Sequence, residues 1–506
     1  MRRPIPQARF NDTDFEIAVV GAGISGIGAA IECKRRGFDS FVLLEARSRL
    51  GGTWLTNNYP GIAVDISSSS YCYPFETQYP WSRAFAPGHE ILSYIEHCSE
   101  KYKIDAHVRY DSKVIGAVFD GKSNCWSVHL ERGGQINARF LLDATGIFGE
   151  AKFPEYPGLD EFAGSYMHSS RWDHSCSMSG KSVAVIGTGA SAVQIVPEIS
   201  KNAAELSVFQ RTAIWITPKS DHSISEWRLP GFNSAPVCAI KRFLSELNLE
   251  FLTFSIVNFR RFPLIVRAVQ VFLEYSMRRQ IKDSRLANLL IPDYGLGCKR
   301  PTRSNTYLPT FNQPHVSLVT EPINNFCSAG VVTDDGKLHK FDVLVFATGF
   351  ETTERGNMPP FPVVGHTGSE LGQFWEDYRL QAYAGVSIPG FPNFFLTAGP
   401  YSGGFNWFTM LAAHLDHIFS CIEKARSLEA TYVEVKQDAH RQYMNHMWRR
   451  SNGTIFKDSS CATARSYYID RHGDASLPFP HTPWWRVMHN HRRKTKDYQF
   501  GHGANG

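Results

Sequence analysis

The chain has no close pair of cysteines of the kind that zinc sites and dithiol redox centres use. Its ten cysteines are spread over 506 residues at irregular intervals, and none forms a CxxC motif. The spacing therefore indicates neither a metal site nor a thioredoxin-like redox motif. A long apolar run without charge is also missing, because Arg260, Arg261 and Arg267 interrupt the apolar stretch at 251–275. A spanning helix needs about 18 or more such residues, so we expect none, although peripheral contact with a membrane stays possible.

Strong charge of either sign is absent as well. The 53 lysines and arginines exceed the 48 aspartates and glutamates by five, which gives no reason to expect nucleic-acid binding. Residues 1–14 are polar and lack the apolar segment of a secretory signal. We therefore expect a cytoplasmic protein. Its length predicts two or three domains.

Two segments of the chain repeat one pattern, in which an apolar strand is followed by a glycine-rich turn, a helix and a second strand. The first strands are residues 17–20 and 183–186. In such a βαβ unit the first glycine permits the tight turn and the second lets a phosphate approach the backbone, while a small third residue lets the helix pack closely. Both segments are therefore predicted to bind a dinucleotide at the helix N-terminus. The small residues are Gly21, Gly23 and Gly26 in the first turn, and Gly187, Gly189 and Ala192 in the second.

The residue that follows the second strand differs between the two units. Glu45 and Arg211 each lie 24 positions after the first glycine of their turn. A carboxylate accepts hydrogen bonds from ribose hydroxyls and repels a 2′-phosphate, whereas a guanidinium pairs with that phosphate. The first unit is therefore predicted to bind FAD and the second NADPH, with Thr212 adding a hydroxyl donor.

Two further apolar strands each end in Ala-Thr-Gly, near residues 146 and 349. The repetition predicts that the chain leaves the first nucleotide domain after the earlier strand and returns to it after the later one. The expected fold is α/β, with two Rossmann-like dinucleotide-binding domains and a helical insertion in the second. The predicted bounds are 1–150 with 341–506 for the FAD-binding domain, 151–340 for the NADP-binding domain, and 221–298 for the helical subdomain.

Three further motifs resemble those of the type I Baeyer–Villiger monooxygenases, a family of class B flavoprotein monooxygenases. Residues 162–173 match the fingerprint FxGxxxHxxxW followed by Asp. Residues 51–65 match a second motif, Gly-Gly-Thr-Trp followed by Tyr-Pro-Gly and Asp, and residues 297–301 match Gly-Cys-Lys-Arg-Pro. The resemblance covers the chain from about residue 17 to residue 350 and implies an oxidoreductase that uses FAD, NADPH and O2.

The resemblance also implies a reaction and residue roles. NADPH reduces the FAD, the reduced flavin captures O2 as a C4a-peroxyflavin, and a ketone becomes an ester or lactone. Arg300 resembles the catalytic arginine that stabilises negative charge beside the flavin, and Asp65 the carboxylate that holds it. Lys299 resembles a lysine that helps Arg211 bind the 2′-phosphate. Trp54 follows the first unit, and it is expected to pack against the cofactor.

Two other kinds of flavoprotein enzyme would share these nucleotide sites. An N- or S-oxygenating flavin monooxygenase carries a related fingerprint, but Trp172, Asp65 and Arg300 favour the Baeyer–Villiger branch. A pyridine-nucleotide disulfide reductase needs a cysteine pair soon after the first unit, and residues 34–71 contain no cysteine. A third alternative, a degenerate flavoprotein that only senses NADPH, conflicts with the intact glycines.

The substrate is indicated only as a class. Aromatic and apolar residues after position 399 suggest a lipophilic ketone, and Tyr467 stands where many relatives have a tryptophan, which weakens analogy with their substrates. His168 is expected to fix a domain linker and not to act as a base. The histidine spacing indicates no metal, and we expect a monomer or weak homodimer. The residues that suggest a lipophilic pocket are Phe405, Trp407, Phe408 and Met410.

Overall fold

The computed structural model describes residues 13–224, 234–493 and 495–502. Short strands alternate with helices, as the repeated strand–turn–helix pattern predicts. In chain order the strands are β1 (Phe15–Val20), β2 (Phe41–Leu44), β3 (Val108–Arg109), β4 (Val114–Asp120), β5 (Cys125–Leu130), β6 (Gln135–Asp143), β7 (Ser165–His168), β8 (Ser182–Ile186), β9 (Glu205–Phe209), β10 (Ile216–Thr217), β11 (Thr302–Arg303), β12 (Val316–Val319), β13 (Ile323–Cys327), β14 (Gly330–Thr333), β15 (Leu338–Lys340), β16 (Val343–Phe346), β17 (Val363–Val364), β18 (Phe394–Leu396), β19 (Tyr432–Val435) and β20 (Tyr498–Gly501). The helices are α1 (Ile24–Arg35), α2 (Thr53–Thr56), α3 (Gly88–Lys101), α4 (Ala190–Ile199), α5 (Ala235–Val257), α6 (Pro263–Arg278), α7 (Ser284–Leu290), α8 (Tyr307–Thr310), α9 (Leu371–Tyr378), α10 (Trp407–Ser427), α11 (Gln437–Ser451) and α12 (Pro483–Arg493).

The first large sheet has the strand order β17-β4-β5-β6-β1-β2-β3, and β18 also pairs with β6. Its centre is parallel, with Val19 of β1 opposite Leu43 on one side and Leu142 on the other. Strands that are covered on both faces read as continuous apolar runs, and every residue from Ile17 to Val20 is buried. The sheet takes its strands from residues 15–143 and 363–396.

The second large sheet is parallel and has the order β12-β9-β8-β16-β7. Its strand β16 pairs with β8 on one side and with β7 on the other. The predicted domain boundary at residue 341 is therefore too early, because residues 343–346 belong to the second sheet. The repeated Ala-Thr-Gly ending follows an equivalent strand in each sheet, and the next strand after β16, which is β17, belongs to the first sheet. The remaining domain bounds stay a prediction.

Helices α5, α6 and α7 lie between the second sheet's strands β9 and β12 in the chain. They fall within the segment 221–298 that was expected to be helical, of which residues 225–233 lie outside the described part. The predicted α/β class with two Rossmann-like sheets is confirmed. Within the described residues, no helix is both long and apolar enough to cross a membrane.

A buried ion pair attaches helix α10 to the first sheet. Arg426 donates from Nη2 to Glu16 Oε2 at 2.7 Å and from Nη1 to the Gly37 carbonyl at 3.2 Å. Its guanidinium also lies 4.2 Å from the centre of the Phe38 ring. Burial raises the pKa of Glu16, and Arg426 offsets part of that shift. Arg426 therefore supplies the positive charge that compensates this buried carboxylate beneath α10.

We predict that Arg426→Met lowers the stability of the protein by about 3 to 5 kcal/mol, because it leaves the Glu16 carboxylate buried without its hydrogen-bonded cation. The double variant Glu16→Gln/Arg426→Met should recover most of that loss. Thermal unfolding followed by circular dichroism measures both. Equal midpoints for the single and double variants would contradict this account of the pair.

Candidate active site

The first glycine-rich turn joins β1 to α1 and leaves the N-terminus of α1 open. A Cβ on Gly26 would lie 1.8 Å from the Gly21 carbonyl oxygen, so no side chain fits where the helix crosses the turn. No side chain caps α1, and its first turn contains no acidic residue. Its first N–H groups are therefore available to an anion such as a pyrophosphate.

Glu45 lies directly beside this turn. One carboxylate oxygen, Oε2, accepts from the Ala22 backbone N–H at 2.8 Å, and Oε1 accepts from the Arg47 N–H at 3.0 Å. The side chain is almost fully buried. These two contacts hold the carboxylate next to the path that a nucleotide would follow from the helix N-terminus.

The second turn has the same construction between β8 and α4. Gly187 has a φ of +115°, and a Cβ there would lie 2.4 Å from the Ala347 carbonyl oxygen. Ala192 is fully buried where α4 packs on the sheet. No side chain caps α4, and Thr188 Oγ1 donates to the Thr212 carbonyl at 2.6 Å. A Cβ on Gly189 would meet nothing within 4 Å, so open space faces the turn at that point.

Three cations form a basic cluster near the second turn: Arg211, Lys299 and Arg465. Burial, together with the charges of Arg211 and Arg465, lowers the pKa of Lys299 to about 8, while Asp293 opposes the shift. Like charges held close together form a site for an anion of high charge, such as a phosphate dianion. Arg465 was missed from the sequence, because it lies 166 positions after Lys299 in a segment without a recognisable motif.

Asp65 and Arg300 form a bidentate ion pair. Arg300 donates from Nε to Asp65 Oδ2 at 2.7 Å and from Nη2 to Oδ1 at 2.6 Å. Burial alone would raise the pKa of Asp65, but the guanidinium outweighs it and holds that pKa below the ordinary value. Burial likewise opposes the charge of Arg300, and Asp65 outweighs it and raises the arginine pKa. About a quarter of each side chain remains exposed, so the pair is permanently charged and still accessible.

Gln194 connects the loop that carries Asp65 to the second nucleotide unit. Its Nε2 donates to the Ala63 carbonyl at 2.9 Å, and its Oε1 accepts from the hydroxyl of Tyr59 at 3.0 Å. Gln194 belongs to α4, which begins at the second glycine-rich turn. The position of the ion pair is therefore tied to both turns.

Aromatic side chains surround the ion pair. The half-buried Trp54 donates from Nε1 to the Tyr71 hydroxyl at 3.1 Å, and Asp65 and Arg300 both influence the pKa of Tyr71, which burial raises. The Phe405 ring centre lies 5.7 Å from the Arg300 guanidinium carbon. Phe408 and Met410, which were expected to line a pocket, are instead fully buried in the protein core.

The C-terminal segment reaches the same place. The Tyr467 and Tyr468 rings lie 4.5 Å apart, and both tyrosines act electrostatically on Arg300. A disulfide joins Cys298 to Cys461 across 163 positions. The irregular cysteine spacing did not predict this pairing, which fixes the segment before Lys299 to the segment that carries Arg465 and the tyrosines.

The fingerprint histidine lies apart from this chemistry. His168 ends β7, is almost fully buried, and accepts from the Ser170 N–H through Nδ1 at 3.1 Å. Burial lowers its pKa to about 4, so the imidazole is neutral at ordinary pH and suits a structural position. The described residues contain no group of three or more His, Cys, Asp or Glu side chains that could hold a metal ion.

Comparison with known proteins gives matches along most of the chain. A family model described as pyridine nucleotide-disulphide oxidoreductase matches residues 18–238, a range that ends before the cysteines of the disulfide. The chain is 32% identical over 456 residues to a Baeyer–Villiger monooxygenase of Pseudomonas aeruginosa, with 90% of this chain and 85% of that protein covered.

Two solved structures resemble the whole fold. One is an oxidized steroid monooxygenase bound to NADP, which matches with a TM-score of 0.84 at 27% identity and covers 97% of this chain and 100% of that chain. The other is a complex of OTEMO with FAD and NADP, with a TM-score of 0.83 at 25% identity and the same coverage.

We predict that Gly189→Ala preserves the fold and weakens NADP binding by about tenfold or more, since a methyl group would occupy the space where a pyrophosphate approaches the backbone. Isothermal titration with NADP and a thermal unfolding curve measure the two effects. In contrast, Gly187→Ala should lower the unfolding midpoint because its Cβ meets a backbone oxygen. Unchanged NADP affinity in Gly189→Ala would refute the assignment of this turn.

Proposed function

The chain belongs to the type I Baeyer–Villiger monooxygenases, and on that basis we propose that it oxidises a lipophilic ketone to an ester or lactone. It is an enzyme that depends on FAD and NADPH. The observation that carries the substrate proposal is the charged but accessible Asp65–Arg300 pair inside a largely aromatic surrounding. We also propose a cytoplasmic location.

The first turn holds FAD in this proposal. Gly21, Gly23 and Gly26 leave the backbone of the turn and the N-terminus of α1 open to the pyrophosphate. Glu45 accepts from the ribose hydroxyls, and its two backbone contacts orient it for that role. Trp54 would pack against the bound flavin and help to exclude water from it.

The second turn holds NADPH. Gly187, Gly189 and Ala192 provide the same open backbone at α4, and the basic cluster receives the 2′-phosphate. Thr212 supplies a further hydroxyl donor. Lys299 and Arg300 are adjacent in sequence but serve different ligands, because one side chain belongs to the basic cluster and the other pairs with Asp65.

Reduced FAD, when bound, supplies the activation of O2. Arg300 provides a permanent positive charge that stabilises the negative charge on the carbonyl oxygen while the ketone is oxidised. Asp65 acts as a positioning residue, because its two hydrogen bonds fix the plane of the guanidinium. Loss of Asp65 would leave the cation without orientation in a partly buried site.

The substrate class follows from what surrounds this cation. Phe405 and Tyr467 present aromatic surface beside Arg300, and Phe148 lies 6.4 Å from the Tyr467 ring. Aromatic walls favour substrates with apolar carbon chains or rings. A steroid monooxygenase of the same fold is consistent with a ketone of this kind.

A panel of ketones of increasing chain length, together with one thioether, tests the proposed function. We expect esters or lactones by mass spectrometry, with kcat/KM rising about fourfold for each added methylene until the pocket is full. Formation of a sulfoxide only, with every ketone recovered, would contradict the proposal and favour the N- or S-oxygenating alternative.

We predict that Arg300→Ala still binds FAD and still oxidises NADPH. Its rate of ester formation should fall at least about 100-fold, because the charge on oxygen loses its stabilising cation. The reducing equivalents should leave as hydrogen peroxide. Arg300→Lys keeps a positive charge without the bidentate geometry. Its rate of ester formation should lie between those of the wild type and Arg300→Ala. Ester yields equal to wild type in Arg300→Ala would remove the proposed role.

The basic cluster predicts a pH dependence of NADPH binding. Because the pKa of Lys299 is about 8, its ammonium is present below that pH and is lost as the pH rises above it. The KM for NADPH should therefore rise roughly tenfold between about pH 8 and pH 9.5, whereas Lys299→Arg should stay flat. NADH, which has no 2′-phosphate, is the control, and an equal rise for NADH would contradict the assignment.

A further inference from the structure

Helices α5 and α6 are apolar on two opposite faces. One face of each helix is buried against the protein, through residues such as Leu249, Val266 and Leu273. The other face is exposed and is called here the outer face. Its residues on α5 are Ile240, Phe243, Leu244, Leu247, Phe251 and Phe254, and its residues on α6 are Leu264, Val271, Phe272 and Tyr275.

The outer face follows the helical repeat. On α5 its members lie three, four, seven, eleven and fourteen positions after Ile240, and on α6 Leu264 is followed by members seven, eight and eleven positions later. At about 100° per residue these positions form one stripe on each helix, roughly opposite the buried residues. Leu264 is 75% exposed, Val271 68% and Phe251 61%. Exposed apolar area arranged in this way marks an interaction surface.

Positive charge is concentrated in the same segment. Residues 235–285 contain nine of the 53 lysines and arginines and four of the 48 acidic residues, which gives a net charge of +5. The rest of the chain contains 44 of each sign and is neutral. Two of the four acidic residues are already paired within their own helix, Glu246 with Arg242 at 2.8 Å and Glu274 with Arg278 at 2.9 Å.

Exposed arginines lie in the turn between the two helices and on α6. Arg260 and Arg261 are exposed in the turn that joins α5 to α6, and Arg267 is exposed on α6 itself. Arg261 also lies 5.4 Å from the ring of the neighbouring Phe262. Among the residues that the structure describes, neither Arg260 nor Arg261 has an ion-pair partner. A partner with negative charge beside an apolar layer therefore complements this surface.

We propose that the outer face binds the surface of an anionic phospholipid bilayer, with α5 and α6 lying in the interface. Apolar side chains enter the acyl boundary of such a membrane, and the arginines contact its phosphates. A second copy of this chain fits less well, because a two-fold contact through the outer face would bring two segments of charge +5 together. The proposal does not depend on which ketone the enzyme oxidises.

The buried faces of the same helices pack on segments near the active site. Ser245 of α5 is hydrogen-bonded to Ser70 at 2.9 Å, five positions from Asp65. Ile256 packs against Gly297, which begins the segment of Lys299 and Arg300. A bilayer on the outer face would thus lie across these two helices from the segments that carry Asp65 and Arg300.

Co-sedimentation of the FAD-loaded protein with vesicles tests the proposal. The probes are vesicles of phosphatidylcholine alone and of phosphatidylcholine mixed with phosphatidylglycerol. We expect the wild type to bind the anionic vesicles at least about tenfold more tightly than the neutral ones, and added salt to weaken that binding.

Two sets of variants separate the two contributions. The triple variant Phe251→Ser/Leu264→Ser/Phe272→Ser should lose at least about tenfold in binding to both kinds of vesicle. The affinity of Arg260→Gln/Arg261→Gln should fall about fivefold for each charge removed, and only for the anionic vesicles. Tyr378→Ser, which removes an equally exposed aromatic side chain from α9, is the matched control and should bind as the wild type does. Flavin content and the unfolding midpoint confirm that each variant is folded.

Three results would overturn the proposal. The wild type could fail to sediment with anionic vesicles, or both sets of variants could bind as well as it does. Sedimentation velocity could also reveal a dimer that the triple variant abolishes, in which case a second copy of the chain is the occupant of the outer face.

Discussion

The bidentate contact between Asp65 and Arg300 joins two parts of the chain that are 235 positions apart. Asp65 lies in the loop after the first glycine-rich turn, and Arg300 lies where the chain leaves the helical insertion. Because two hydrogen bonds fix the guanidinium plane, a small shift of either segment would break the geometry. Segments near both glycine-rich turns, the helical insertion and the C-terminal tyrosines all meet at this ion pair.

Several contacts serve to hold that geometry. Gln194 ties the Asp65 loop to α4, and the disulfide ties the Arg300 segment to the C-terminal segment. A charge that is held by rigid neighbours needs little reorganisation when negative charge develops on oxygen, which is the origin of electrostatic catalysis. The Phe405 and Tyr467 side chains beside the ion pair give the site a mostly aromatic boundary. One arrangement therefore accounts for both the proposed chemistry and the proposed substrate class.

Much of this could be predicted from local sequence. Short patterns predict the two βαβ units and the contrast between Glu45 and Arg211 after their second strands. A family motif predicts the pairing of Asp65 with Arg300. The predicted bound at residue 341 fell before β16 because the apolar run and Ala-Thr-Gly ending look the same in both sheets, and only pairing with β7 and β8 distinguishes them. Arg465, Tyr71 and the disulfide could not be predicted, since each acts through a contact between distant segments. Phe408 and Met410 were misplaced because an apolar residue in a core and one in a pocket have the same sequence signature.

The central proposal is that this enzyme inserts one oxygen atom from O2 into a carbon–carbon bond beside a carbonyl. Turnover of a lipophilic ketone under ¹⁸O₂ with NADPH, followed by mass spectrometry of the product, measures this directly. We expect one ¹⁸O atom in the bridging position of the ester or lactone. Recovery of unchanged ketone, with all of the label in hydrogen peroxide and water, would contradict it.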